Sequence, residues 1–229
     1  PVSRVILGRR SALAFDGVTT IGLQCFYGML DALLPRAGKP PWSLLDEAPS
    51  VHPVLFVHRV DGLAPGIYCL PRTNAALADL RAAMRPDWLW AKTPGCPEHL
   101  PLYLLAPLDV RRFAITVSCH QDIAGESAFA LAMLARYDDI GLAQPWLYRQ
   151  RFWEAGMLGQ VLYLEAEAAG LQATGIGCYF DDALHRALEL DTGRFQDIYH
   201  FTVGRAVADA RLGSEPAYAH LGREAGILS

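Results

Sequence analysis

The chain of 229 residues is 52% hydrophobic and 19% charged, and its formal net charge of −4 comes from 24 acidic and 20 basic residues. It has no basic run, which argues against a nucleic-acid partner because phosphate-backbone affinity needs clustered lysine and arginine, and no apolar stretch is long enough to predict a membrane span. Five dispersed cysteines without C-x-x-C spacing and an N-terminal segment without a signal-peptide layout predict a soluble protein with reduced thiols in the cytoplasm.

The first feature along the chain is Arg9-Arg10-Ser11, which precedes every predicted core element. Two guanidinium groups beside a hydroxyl suit a phosphate, because arginine pairs bidentately with phosphate oxygens and keeps its proton. On composition alone such a pair is more typical of a solvated surface. Both interpretations stay open at this point.

The first predicted core element is a helix over residues 21–34, where apolar side chains recur at helical spacing. Thr19 or Thr20 is its predicted N-cap, because a threonine hydroxyl can accept a hydrogen bond from a free amide of the first turn. The proline-rich residues 35–41 end the helix.

A predicted loop over residues 49–53 carries Ser50. A serine in this setting is usually a hydroxyl that caps a turn, and contact with a ligand is the alternative. Residues 54–60 and 67–70 then form a predicted β-hairpin around a turn rich in glycine and proline.

The middle of the chain alternates short helices and strands. In order, we predict a helix over residues 75–84, an excursion over residues 85–101, a strand over 102–105, a helix over 113–124 and a buried strand over 128–134. His120-Gln121-Asp122 lies in this part, but neighbouring side chains on one element point apart, so we do not expect them to converge on a metal ion.

The clearest predicted helix runs over residues 145–169 and is closed by Gly170 at its C′ position. The glycine-spaced segment 170–182 follows, where a flat ligand could approach the main chain. We predict that a strand begins at residues 178–180, that Asp182 caps a short helix to Leu188, and that residues 198–204 form the final strand. A buried, hydrogen-bonded His200 and a free, buried Cys178 that acts as a small hydrophobe are the commoner interpretations of those two residues.

Several motifs follow one another in an informative order. Arg9, Arg10, Ser11 and Phe15 resemble an R-R-S-x-R-x-F pattern, although Leu13 stands where a second basic residue is usual. The short P-S loop at Ser50, the D-G-L-A-P-G-I-Y turn at residues 61–68, the long helix ending in Gly170-Leu171 and the ending over residues 199–212 complete the series. In this order the motifs resemble the FMN-dependent nitroreductase superfamily and, within it, the SagB-type dehydrogenase branch.

The resemblance implies one α+β domain over residues 1–229, with a central mixed or antiparallel sheet flanked by helices and the long helix at a dimer interface. It implies an FMN-dependent oxidoreductase that transfers a hydride between flavin and a small-molecule or peptide substrate, with the catalytic residue unassigned. The implied phosphate ligands are Arg9, Arg10, Ser11 and Arg211, and the implied ring contacts are Ser50, Gly175, Ile176 and Gly177.

A second hypothesis remains open. The departures at Leu13 and in the short loop at Ser50 would also suit a non-catalytic domain of the same fold that completes the site of a homologous catalytic subunit. The first motif begins only nine residues into the chain, so the chain could equally be one half of a tandem protein. The partner would accordingly be a second copy or a homologous domain.

Overall fold

The structure is a computed structural model that describes residues 2–44, 48–211, 213 and 215–221. Within these ranges seven α-helices surround a seven-stranded sheet. The helices are α1 (Val2–Gly8), α2 (Leu23–Ala32), α3 (Asn74–Ala83), α4 (Arg111–Val117), α5 (Ile123–Glu126), α6 (Leu147–Ala168) and α7 (Asp181–Leu188). The strands are β1 (Val51–Val57), β2 (Gly66–Cys69), β3 (Ala91–Lys92), β4 (Tyr103–Pro107), β5 (Phe129–Arg136), β6 (Gln172–Ile176) and β7 (Phe195–Gly204).

The sheet has the strand order β3-β4-β2-β1-β5-β7-β6, and every neighbouring pair is antiparallel. All seven residues of β1 are buried, as are the first seven of β5. Apart from His52 in β1 and Arg136 at the end of β5, both strands are apolar, because helices cover both faces of the sheet at its centre. The α+β class with a long helix is thus confirmed, and the sheet is antiparallel.

The two faces of the sheet form separate cores. Helices α2 and α6 pack on one face, where Phe26, Leu158, Leu162 and Phe201 are fully buried. Helices α3, α4, α5 and α7 cover the other face. Consecutive residues of a strand point to opposite faces. Phe201 of β7 therefore packs in the first core, whereas its neighbour His200 points towards the helices on the other face.

Helix α6 spans 22 residues and therefore about 33 Å. It ends as the sequence predicts, because Gly170 follows its C-cap Ala169 with φ +71°, in the left-handed region that glycine adopts without strain. The chain continues from this helix end directly into β6, the strand that contains Gly175.

Several predicted boundaries are wrong. Helix α2 begins at Leu23 behind the N-cap Gly22, whereas the Thr19 hydroxyl donates to the Asp16 carboxylate and caps a local turn. The predicted loop at 49–53 is mostly strand, since β1 begins at Val51.

The glycine segment also differs from the prediction. Its strand is β6, which ends at Ile176, and residues 177–180 form a loop. Glycine weakens a strand interior, which is why the sequence pattern placed the strand too late. Asp182 lies inside α7, whose N-cap is Phe180.

The helix predicted over residues 113–124 is divided into α4 and α5. Cys119 and His120 interrupt it, each with a φ of 58°. Helix α1 was not predicted, and it packs on α6 without burying any of its residues. In the part of the chain that the structure describes, no helix is both long and apolar enough to cross a membrane.

Candidate functional site

The N-terminal segment lies along the free edge of β6. Ser11 forms a parallel bridge with Ala173, and the Ala12 amide donates to the Ala173 carbonyl at 3.0 Å. The Thr174 hydroxyl donates to the Ala12 carbonyl at 2.6 Å. These contacts bring the Arg9–Ser11 patch and the glycine segment together.

Tyr163 of α6 connects these two patches. Its hydroxyl shares a hydrogen bond of 2.8 Å with the Ser11 hydroxyl and accepts one of 3.0 Å from the Gly175 amide. The Arg9 guanidinium lies over the same ring, 4.5 Å from its centre. Sequence reasoning missed Tyr163, because on a helix with apolar residues all around it nothing distinguishes a tyrosine that faces the site.

The three arginines predicted to bind phosphate have different surroundings. The half-buried Arg9 guanidinium has no carboxylate partner among the described residues. Arg10 donates to the carbonyls of Leu7, Arg9 and Glu215. Arg211 is 88% exposed and pairs with Asp209 at 2.7 Å, and this hydrogen bond lowers the pKa of the Asp209 carboxyl. Of the three, Arg9 is the one free to take an anion without giving up a protein contact.

The two glycines also differ in what they face. A Cβ atom at Gly175 would lie 1.8 Å from the Tyr199 hydroxyl, so this glycine makes room for a tyrosine. Burial raises the pKa of Tyr199, and its hydroxyl therefore keeps its proton. Gly177 is exposed, and a Cβ there would meet no atom within 4 Å, so its backbone faces open space. The Ile176 side chain between them is buried in the second core.

Ser50 lies away from the other predicted site residues. Its amide donates to the Glu154 carboxylate at 3.0 Å, and Glu154 in turn pairs with the buried Arg72. Across the sheet, Gly175 in β6 lies three strands away from the start of β1, next to Ser50. Along the strands the two residues are offset by about five residues, which gives a separation of about 20 Å. Within one chain Ser50 therefore does not meet the Arg9–Gly177 region.

A buried chain of hydrogen bonds lies beneath the loop that follows Gly177. The Ser118 hydroxyl and His200 Nδ1 are 2.9 Å apart, and His200 Nε2 is 2.7 Å from the Asp197 carboxylate. The Tyr179 ring stacks on His200 at 4.8 Å with an angle of 15° between the planes. The expectation of a buried, hydrogen-bonded His200 is confirmed.

This Ser–His–Asp set has the residue types of an acyl-transfer triad. The Ser118 and His200 residues are each only 1% exposed, however, so no substrate can reach the serine. Its role in this structure is to hold Tyr179, and through it the 177–180 loop. Within the described ranges, moreover, no three His, Cys, Asp or Glu residues come together as a metal site would require.

The donor set around Arg9 fits the phosphate end of a flavin nucleotide. It combines a guanidinium without a carboxylate partner in the described chain with an exposed serine hydroxyl on the segment that bridges to Ala173. Charged and hydroxyl donors of this kind bind phosphate oxygens. The Gly175 amide is already taken by Tyr163, so a ring bound here would approach the main chain at Gly177.

No protein-family model and no curated protein matches the chain. Solved structures do. A candidate nitroreductase from Anabaena variabilis superposes with a TM-score of 0.66 at 22% identity, over 90% of this chain, which spans only 38% of that protein. The microcin synthetase McbBCD complex of Escherichia coli, with truncated pro-MccB17 bound, contains a chain that superposes with a TM-score of 0.60 at 16% identity, covering 87% of this chain and 69% of that one.

The NADPH:FMN oxidoreductase of Vibrio harveyi, solved with NAD+, matches all of this chain and 78% of its own length, with a TM-score of 0.56 and 15% identity. Identities at this level establish the fold alone. The chain therefore has a nitroreductase-like fold, and its chemistry has to be argued from its own residues.

Proposed function

We propose that this chain is an FMN-dependent oxidoreductase of the SagB-type kind, which transfers a hydride between an organic substrate and flavin. The observation that carries the proposal is the pairing of the Arg9–Ser11 segment with β6. It places a guanidinium and a hydroxyl beside β6, the strand that leads to the open backbone at Gly177, on a nitroreductase-like fold. The Vibrio harveyi protein with this fold is an FMN oxidoreductase, which supports the same cofactor here.

Each residue has a distinct part in the proposed site. Arg9 and Ser11 would hold the phosphate, with Arg10 and Arg211 joining after exchange of their present carbonyl and carboxylate partners. Tyr163 orients both Ser11 and the Arg9 guanidinium. The backbone at Ile176 and Gly177 would contact the ring. Bound FMN would supply the hydride chemistry, while the protein supplies binding and orientation.

A partner would complete the site. Four aromatic residues at the start of α6 are between 40% and 57% exposed, namely Trp146, Tyr148, Phe152 and Trp153. Exposed aromatic side chains concentrated at one end of a helix, which we call the aromatic patch, are typical of a protein interface. We propose a second copy or a homologous domain as its occupant, and the partner's equivalent of Ser50 would then lie at this chain's ring.

The second candidate function is a non-catalytic domain that supports a homologous catalytic subunit. The specific observation in its favour is that Tyr163 already occupies the Ser11 hydroxyl and the Gly175 amide, while Arg10 and Arg211 are satisfied within the chain. The occurrence of the same fold inside the multi-subunit McbBCD complex agrees with such a role.

The visible absorption spectrum of the purified protein, with and without added FMN, distinguishes the two functions. Under the enzyme proposal, flavin bands survive gel filtration. A protein that stays colourless and whose unfolding temperature does not rise with FMN contradicts the enzyme proposal. The reason is that a ligand which binds only the folded state must stabilise that state. The same result would support the non-catalytic role.

We expect Arg9→Ala to weaken FMN binding about 10- to 100-fold, because a hydrogen bond to a charged group contributes about 1.5–3 kcal/mol. Titration followed by flavin fluorescence measures the change. The matched control is Arg36→Ala, which removes a surface arginine paired with Asp31. Equal affinities of the two variants would place the phosphate elsewhere.

We expect Trp153→Glu to shift the protein towards monomer, because it puts a charge into the aromatic patch, where this side chain is 57% exposed. Sedimentation velocity of the wild type and the variant at matched concentrations measures the shift. Leu89→Glu, at an equally exposed apolar position between α3 and β3, serves as the control. An unchanged sedimentation coefficient for Trp153→Glu would rule out the patch as the self-association surface.

A further inference from the structure

The segment between α4 and α5 is fastened to the loop after Gly177. The Phe180 amide donates to the Val117 carbonyl at 2.8 Å. The Gln121 side-chain amide donates to the Cys178 carbonyl at 3.2 Å and to the Ser118 carbonyl at 3.0 Å. The bonds from Phe180 to Val117 and from Gln121 to Cys178 join residues about 60 positions apart in the sequence and fix the two segments side by side.

Each of the fastened segments carries a cysteine. Cys119 lies two residues after Val117, and Cys178 lies two residues before Phe180, so the backbone contacts bring their side chains to the same place. Both thiols are reduced. Cys178 is exposed, so its predicted burial is wrong, whereas Cys119 is partly buried.

The backbone at Cys119 is held in an unusual conformation. Cys119 and His120 both have a φ of 58°, and two consecutive left-handed residues other than glycine are costly. Such strain persists only where the surroundings impose it. The buried Ser118–His200–Asp197 set and the Tyr179 ring stacked on it provide that support from below, because Ser118 and Tyr179 are the sequence neighbours of the two cysteines.

We propose that Cys119 and Cys178 form a redox-active dithiol site whose substrates are organic disulfides. Cys178 is the attacking thiol, since it is the exposed one, and Cys119 is the resolving thiol. No part of this chemistry needs a flavin, so the proposal stands or falls separately from the cofactor site at Arg9.

The reaction consists of two exchange steps. Cys178, after losing its proton to solvent, attacks one sulfur of the substrate, and the substrate disulfide breaks to release one thiol. Cys119 then attacks the Cys178 sulfur of the mixed disulfide, and the second thiol leaves. The protein dithiol is oxidised by two electrons to an intramolecular disulfide, and the substrate is reduced to two thiols.

The electrostatics of the pair favour this order. The neighbouring Cys178 side chain, followed by burial, raises the pKa of the Cys119 thiol, so Cys119 holds its proton in the reduced pair. Once a substrate group caps Cys178, this interaction is lost. The Cys119 thiol then loses its proton more readily, at the stage when it has to attack.

The experiment incubates the whole reduced chain with oxidised glutathione and measures the product by intact mass and peptide mapping. We expect the wild type to lose two hydrogens, retain no glutathione and yield one cross-linked peptide pair containing Cys119 and Cys178. The fully buried Cys69 is the internal control and should remain alkylatable only after unfolding.

Two conservative variants separate the roles. Cys119→Ser should accumulate one stable glutathione adduct at Cys178, because no resolving thiol remains. Cys178→Ser should react with glutathione about tenfold more slowly or not at all, because Cys119 is partly buried. Circular dichroism checks that both variants are folded. A wild-type protein that keeps a glutathione adduct, or in which both thiols stay reduced, overturns the proposal.

Discussion

Replacing Glu154 by alanine is expected to lower the free energy of unfolding by about 3–5 kcal/mol, because it leaves Arg72 charged and unpaired in the core. The Arg72 and Glu154 side chains are only 1% and 4% exposed, and they pair directly. For a protein whose total stability is on the order of 5–15 kcal/mol, a loss of this size is large.

The effect is large because this ion pair joins four separate pieces of the fold. The Arg72 guanidinium also donates to the Leu33 carbonyl at 2.7 Å, after α2, and to the Val51 carbonyl at 3.1 Å, in β1. Glu154, from α6, accepts the Ser50 amide. Burial lowers the pKa of Arg72 while Glu154 opposes the change, so removal of Glu154 leaves only the unfavourable contribution of burial.

Urea denaturation of three variants measures this prediction. Glu154→Gln keeps an acceptor for the Ser50 amide and should lose less than Glu154→Ala. Glu165→Ala, on the same helix and without an ion pair among the described residues, should change stability by less than about 1 kcal/mol. If Glu154→Ala and Glu165→Ala lose the same amount, the Arg72 pair is not what holds these elements together.

The Ser50 region shows why a motif can be found in a sequence while its role is not. The resemblance pointed to a flavin contact, and in this chain the Ser50 amide belongs to the Glu154–Arg72 network. Nothing local in the sequence relates Ser50 to a carboxylate 104 residues away. Its proposed place at a flavin depends on a partner, which the sequence of one chain does not specify.

The long helix and the central strands could be predicted because their signals are local. Helix α6 has its glycine stop at Gly170, and β5 is an apolar run as far as Ala135. Strand β6 could not be located in the same way. Its Gly175 weakens the strand pattern, and its place is fixed by pairing with Phe201 and by Tyr199 filling the space that a Cβ would take.

The surroundings of the site were beyond sequence reasoning for the same reason. Tyr163 meets Ser11 across 152 positions, and Ser118 meets His200 across 82. Neither pair has a periodicity or a spacing to mark it. The Arg9–Ser11 patch and the glycine segment could be predicted as site candidates because each pattern lies within a few consecutive residues.

The fold also makes a large acid effect on stability predictable. Two histidines are buried as neutral rings on or next to β1. Burial, with help from Arg72, Arg136 and Arg151, lowers the pKa of His52 to about 3. Burial lowers the pKa of His58 to about 4, although a hydrogen bond to the Ala124 carbonyl opposes the change. In the unfolded chain both rings return to an ordinary pKa of about 6.5.

The direction of the effect follows from which state binds the protons. Below pH 6.5 the unfolded chain binds protons at His52 and His58. The folded protein does not bind protons at these rings until the pH approaches 3 to 4. The stability that depends on neutral rings is therefore complete above pH 6.5 and is lost as the pH falls. Between pH 7 and pH 5 each ring should account for a loss of about 2 kcal/mol, or about 4 kcal/mol together.

Free energies of unfolding measured in urea at intervals between pH 7 and pH 5 test this directly. His52→Asn keeps an acceptor for the Arg72 amide, which bonds to His52 Nδ1 at 3.2 Å, and should remove about half of the pH dependence. His58→Asn should remove most of the other half, and the double variant should approach a flat profile. If the double variant retains the wild-type slope, acid destabilises the protein through groups other than these two rings.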